Sequence, residues 1–90
     1  MDSGSRRATA ALLARLKEGL AAGYDQFVIG PDEMAAAYGV GAQTEILQDL
    51  GPGWHVRYDE GDLIVSRNIP KEAAIDQVEQ KLTEIVLSLG

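Results

Sequence analysis

From Ser5 to Ala22 the apolar residues Ala8, Leu12, Leu13, Leu16 and Leu20 recur at helical spacing, with Arg6, Arg7, Arg15 and Lys17 between them. That is the stripe of an amphipathic helix, and Gly23 supplies its stop. Gln26-Phe27-Val28-Ile29 is β-branched and aromatic, too short for a helix, and bounded by Asp25 and Gly30-Pro31, which predicts a short strand in need of a partner. Pro31, Asp32 and Glu33 then place a proline and two acids where the first turn of a helix favours them. This second helix runs through Met34, Ala35, Ala36, Ala37 and Tyr38 to a turn at Gly39-Val40-Gly41. Ala42 to Leu50 resumes a helical pattern with Ile46, Leu47 and Leu50 on one side, and Gly51-Pro52-Gly53 ends it.

Trp54 to Asp59 and Asp62 to Arg67 alternate around Glu60-Gly61, a two-residue hairpin loop. With Asp59 opposite Asp62, the register puts Trp54, Val56, Tyr58, Leu63 and Val65 on a core face. His55, Arg57, Asp59, Ile64 and Ser66 fall on the other, wetter face. Pro70 opens a last helix, about residues 70–89, in which Ile75, Val78, Leu82, Ile85 and Leu89 form a heptad seam. The seam has two destinations, the chain's own first helix or the same helix in a second copy, and the expectation is a homodimer through it. No repeat, linker or low-complexity tract divides the chain, so residues 1–90 read as a single domain.

The order helix, strand, helix, turn, helix, hairpin, long helix resembles the winged helix-turn-helix family over residues 5–67. The matching residues are Ala35 at the small position where the paired helices cross, Met34 and Tyr38 as apolar partners, and Gly39-Val40 as the turn glycine with its buried aliphatic. Ile46 and Leu50 match the inward positions of that family's recognition helix. The stretch from Gly39 to Ile46 is one residue longer than the tight helix-turn-helix spacing. The resemblance implies an α+β, winged-helix-like fold in which the strand after the first helix pairs with the hairpin, and a second short helix that meets DNA.

Charge changes that picture. The chain has 8 Lys and Arg against 14 Asp and Glu, for a net charge of −6. Between Tyr24 and Asp62 the single base Arg57 stands against eight acids: Asp25, Asp32, Glu33, Glu45, Asp49, Asp59, Glu60 and Asp62. A DNA reader places Lys and Arg on its recognition helix and wing, where each phosphate contact adds affinity through counterion release. Here those same elements carry Glu45, Asp49, Asp59, Glu60 and Asp62, which points to a basic protein surface as the partner. The alternative is a dimeric DNA-binding transcriptional regulator that uses Gln43 and Thr44 at base edges with His55, Arg57 and Arg67 on the backbone.

Candidate chemistry is sparse. With no cysteine and one histidine, disulfides, zinc ribbons and thiol catalysis are excluded, and a first-row metal site would need carboxylates gathered around His55. Ser66 lies across from His55 in the hairpin register, on an open strand face without a pocket for triad chemistry. The acids at the hairpin tip are too closely spaced for a calcium loop. The expectation is therefore a non-catalytic protein without cofactor, cytoplasmic and away from membranes, whose acidic face acts as a nucleic-acid mimic or inhibitor toward a nucleic-acid-handling protein.

Overall fold

The computed structural model describes residues 3–38, 46 and 50–89. Its elements are α1 (Ser3–Ala21), β1 (Gln26–Ile29), α2 (Pro31–Tyr38), β2 (Trp54–Asp59), β3 (Asp62–Arg67) and α3 (Lys71–Leu89). Ile46 and Leu50, between α2 and β2, are helical and buried. The architecture is α+β: helices pack on one face of a three-stranded antiparallel sheet in the order β1-β3-β2. Gln43, Thr44, Glu45 and Asp49 lie outside the described residues.

The helix α1 ends as its glycine predicts. Gly23 takes a φ of 101°, its N–H donates to Leu20 O at 3.0 Å, and the Tyr24 N–H donates to Gly19 O at 3.0 Å. These two bonds are the Schellman pattern, which needs the left-handed conformation that glycine adopts without strain. The reversal delivers the chain into β1, whose Phe27 ring lies so close to Gly19 that a Cβ there would fall 2.3 Å from the ring. At its own start α2 is capped by Glu33, whose carboxylate accepts the Gly30 N–H at 3.0 Å, one half of a capping box.

Leu13, Leu16, Leu20, Ile29, Ile46, Leu50, Leu63, Val65 and Val78 are fully buried. The fully buried Thr9 hydroxyl donates to Ala37 O at 2.8 Å, which ties α1 to the last turn of α2. Met34 and Ala37 are the inward residues of α2, with Tyr38 packed beside them, whereas Ala35 is exposed. The small buried residue of α2 is thus Ala37, since a step of three from Met34 stays on the buried face and a step of one leaves it; the crossing with the second paired helix, where Ala35 is expected, lies outside the described residues.

The seam expected to serve a second copy lies against the chain's own core. Val78 and Ala74 are fully buried, and Ile75, Leu82 and Ile85 pack on the core beside them. Helices α1 and α3 run antiparallel, with Lys17 Nζ 3.5 Å from Glu79 Oε2 and Arg6 Nη1 donating to Ser88 O at 3.5 Å. The physical reason is proximity: α1 is leucine-rich enough to cover both the sheet and α3. The Leu89 side chain lies outside the described ones.

The hairpin register is the expected one, with Asp59 opposite Asp62 and Val56 opposite Val65, and β1 pairs with β3 from Gln26↔Ser66 to Ile29↔Leu63. Trp54 is 6% exposed and its indole N–H donates to Gln77 Oε1 at 3.3 Å. Tyr58, expected in the core, is 58% exposed. Its cross-strand row explains the difference: Ile29 and Leu63 are covered, and the cover ends before β2, an edge strand. Trp54→Ala should therefore cost roughly 3–5 kcal/mol, as large-to-small core changes do, while Tyr58→Ala stays within about 0.5 kcal/mol of the wild type. Urea denaturation measured at a concentration where the chain is monomeric checks both.

Arg15 and Glu33 join α1 to α2. Arg15 Nη1 donates to Glu33 Oε1, and Nη2 donates to Oε2 at 3.2 Å. The hydrogen bond from Arg15 holds the Glu33 carboxyl below its ordinary 4.5, desolvation opposes this, and the Gly30 N–H assists it. A carboxyl with a lowered folded pKa contributes stability that is complete above its unfolded value and disappears as pH falls through the folded one. Both side chains are half exposed, so the contribution stays below about 1 kcal/mol. Glu33→Gln keeps an acceptor for the Gly30 N–H and removes only the charge. Its melting temperature should sit slightly below wild type at neutral pH, with the gap closing as pH drops below 4.5.

Candidate functional site

The hairpin formed by β2 and β3 gathers the sequence's candidate residues on two faces and a tip. Glu60 takes a φ of 53° and Gly61 a φ of 90°, the pair of positive angles that makes a type I′ turn. The turn places Asp59, Glu60 and Asp62 together at the tip, with Asp59 and Glu60 exposed and Asp62 half-buried. None of the three carboxylates has a cationic partner among the described residues. Neither do three His, Asp or Glu side chains converge there, or elsewhere among the described residues, in a way that would hold a metal ion.

The bases of the chain are disposed differently. Arg15 is held by Glu33, Lys17 by Glu79 and Lys81 by Glu84. Arg67 folds back on the chain: its Nη1 donates to Ile69 O at 2.7 Å, and its buried Nε meets no acceptor. It also stands opposite Trp54, on the core-facing side of the sheet. Of the described members of the alternative set for DNA contact, His55 and Arg57 share the exposed outer face and Arg67 lies on the other, while Gln43 and Thr44 lie outside the described residues.

That outer face is built in cross-strand rows. Gln26, Ser66 and His55 form one row, and Val28, Ile64 and Arg57 form the next. Val28 is 55% exposed, and Ile64 is buried although it lies outside the main core cluster. A strand on either side of Ile64 accounts for that burial. No element of the described chain covers these rows.

On the opposite side of the molecule a groove of about 800 Å³ lies between Leu50–Pro52 and the flank of α3 that carries Asp76, Gln80 and Glu84. Two of its carboxylates, Glu79 and Glu84, are engaged by Lys17 and Lys81. The groove carries no histidine; Lys81 pairs with Glu84 within it, and Glu79 is paired from outside by Lys17. Among the described residues no helix is long and apolar enough to cross a membrane.

The positive φ of Glu60 is the feature of this site that sequence reading passes over, although the signal is present: a two-residue type I′ loop demands positive φ at both positions, and only the second is glycine here. Left-handed backbone disfavours a glutamate and suits asparagine. Glu60→Asn should raise stability by about 0.5–1 kcal/mol, read from the urea midpoint at unchanged slope. No protein-family model, no curated protein and no solved structure matches the chain, so the arrangement of this hairpin is the ground on which function is argued.

Proposed function

We propose that this chain is a non-catalytic, winged-helix-like interaction module that binds a basic protein surface through its acidic hairpin. The observation that carries the reading is the segregation of charge. The cations of α1 that face other elements are engaged, Arg15 by Glu33, Lys17 by Glu79 and Arg6 by Ser88 O, while the carboxylates of Asp59, Glu60 and Asp62 stand at the hairpin tip with no cation among the described residues. Support for the winged-helix part comes from the strand order β1-β3-β2, with β1 directly after α1 and the hairpin after the central helical region. In such a scaffold the hairpin is the wing, and a wing tipped with three carboxylates repels phosphate and attracts lysine and arginine. Glu60 adds to this, since a residue kept in a disfavoured backbone conformation is a pointer to function.

A macromolecule with exposed Lys and Arg arranged for phosphate is the natural counterpart, so the module acts as a nucleic-acid mimic or inhibitor toward a nucleic-acid-handling protein. The DNA-binding alternative rests on His55 and Arg57, which share the outer sheet face. Two exposed cationic or polar side chains beside three carboxylates make a weak phosphate footprint.

Two measurements test the reading together. A gel shift against random-sequence duplex at low ionic strength should show no retention. Capture of cellular proteins should yield basic proteins that elute with moderate salt, with affinity falling about tenfold or more in the Asp59→Lys, Glu60→Lys, Asp62→Lys triple variant. Retention of duplex by the wild type, or undiminished capture by the triple variant, would sink the proposal.

A further inference from the structure

The type I′ turn also determines which backbone groups β2 leaves unpaired. It closes on a pair that exchanges both hydrogen bonds, here Asp59 and Asp62. Bonded and non-bonded pairs then alternate along an antiparallel ladder, so Arg57 and His55 turn their amides and carbonyls toward β3. Tyr58 and Val56 turn theirs away from the sheet. The continuation of β3 agrees with this phase: the Arg67 N–H, in step with Leu63 and Val65, donates to Asp25 O on the β1 side at 3.0 Å, and the Asn68 N–H, in step with Ile64 and Ser66, donates to Gly53 O on the β2 side at 2.6 Å. Among the described residues no hydrogen bond reaches the outward backbone groups of Val56 or Tyr58. The edge is open.

The side chains along this edge are self-complementary. Tyr58 is exposed on the core-facing side, and Arg57 and Asp59 flank it on the outer face, neither engaged in an ion pair. Three antiparallel self-pairings lie within reach of this short strand. Centred on Val56, His55 meets Arg57 of the other chain, which gains nothing. Centred on Arg57, that guanidinium meets its own copy, a like-charge pair that destabilises a ladder. Centred on Tyr58, Arg57 meets Asp59 of the other chain and Asp59 meets its Arg57, while the two tyrosines face each other and cover their exposed rings. Only the last register matches charge twice and uses the outward groups of Tyr58 as a bonded pair.

We propose that β2 is the docking edge for a second copy of this chain, paired antiparallel about a two-fold axis at Tyr58, so that two three-stranded sheets become one of six strands. An isologous contact of this kind closes on itself and leaves no free β2 edge. Alternating charge on an edge strand usually discourages association; here the alternation discourages the wrong registers and matches the right one. The interface also engages Arg57, the base of β2, and leaves Glu60 and Asp62 at each tip. It does not depend on the identity of any other partner.

Sedimentation equilibrium from low micromolar to near-millimolar concentration tests the interface, using wild type, Arg57→Asp, Asp59→Arg and the exchange variant that carries both. The wild type should dimerise. Each single variant creates two like-charge pairs and should raise the dissociation constant about tenfold or more, whereas the exchange variant rebuilds both pairs and should return to within about threefold. Both positions are exposed, so thermal melting at low concentration should show all four proteins folded. Amide exchange gives a second reading: the Val56 and Tyr58 N–H groups should slow with rising concentration in the wild type and not in the single variants. A wild type that stays monomeric throughout overturns the proposal. So does a dimer that survives Arg57→Asp but is lost with Leu87→Asp, which would place the contact at the exposed Val86 and Leu87 of α3.

Discussion

The other helices and the first strand lean on α1. Leu13, Leu16 and Leu20 are fully buried and Leu12 nearly so, a span of positions wider than one narrow stripe. A helix apolar over so much of its circumference has to be covered from more than one side. In this chain α2 is tied to it by Thr9 and by the Arg15–Glu33 pair, α3 lies antiparallel along it, and β1 presses Phe27 against Gly19. The glycine matters here because a Cβ would displace the Phe27 ring from its seat on α1. A domain of 90 residues has little core to spare, so the helix on which α2, α3 and β1 all rest sets their common geometry.

This arrangement accounts for where sequence reading succeeds and where it stops. The hairpin register is legible because two rules agree on it: period-two alternation from Trp54 to Tyr58, and a two-residue loop that admits one phase only. The helices α1 and α2 are legible from their glycine stop and from the acids after Pro31. The fate of the α3 seam is not, because Ile75, Val78, Leu82 and Ile85 would look the same against a second copy as they do against α1. Ala35 and Ala37 are likewise indistinguishable by composition, and only the phase of the helix, set by the buried Met34, says that Ala37 is the buried one. Tyr58 exposes the limit of a face argument: alternation says which side of a sheet a residue takes, and says nothing about how far the cover on that side extends.

The candidate site is legible in its charges and not in its pairing. Eight acids against one base between Tyr24 and Asp62 is a count available from the chain alone. What the count cannot reveal is that Glu33 spends its charge on Arg15 and on the α2 cap, while the hairpin acids spend theirs on nothing within the described chain. The same holds for the bases. Arg67 reads as a backbone-contacting residue in sequence, yet its guanidinium is committed to the Ile69 carbonyl and faces the side of the sheet occupied by Trp54.

The turn at Glu60-Gly61 links these two levels. A loop of two residues with positive φ twists the strands in the sense a sheet requires, and the phase it imposes decides both which side chains reach the core and which backbone groups face outward. Replacing Glu60 by asparagine would ease the turn without altering that phase, so the glutamate is not retained for the fold. Its side chain stands at the tip, unpaired, between Asp59 and Asp62. Under the proposed function, that strained and unpaired carboxylate is one of the groups that meets the basic partner.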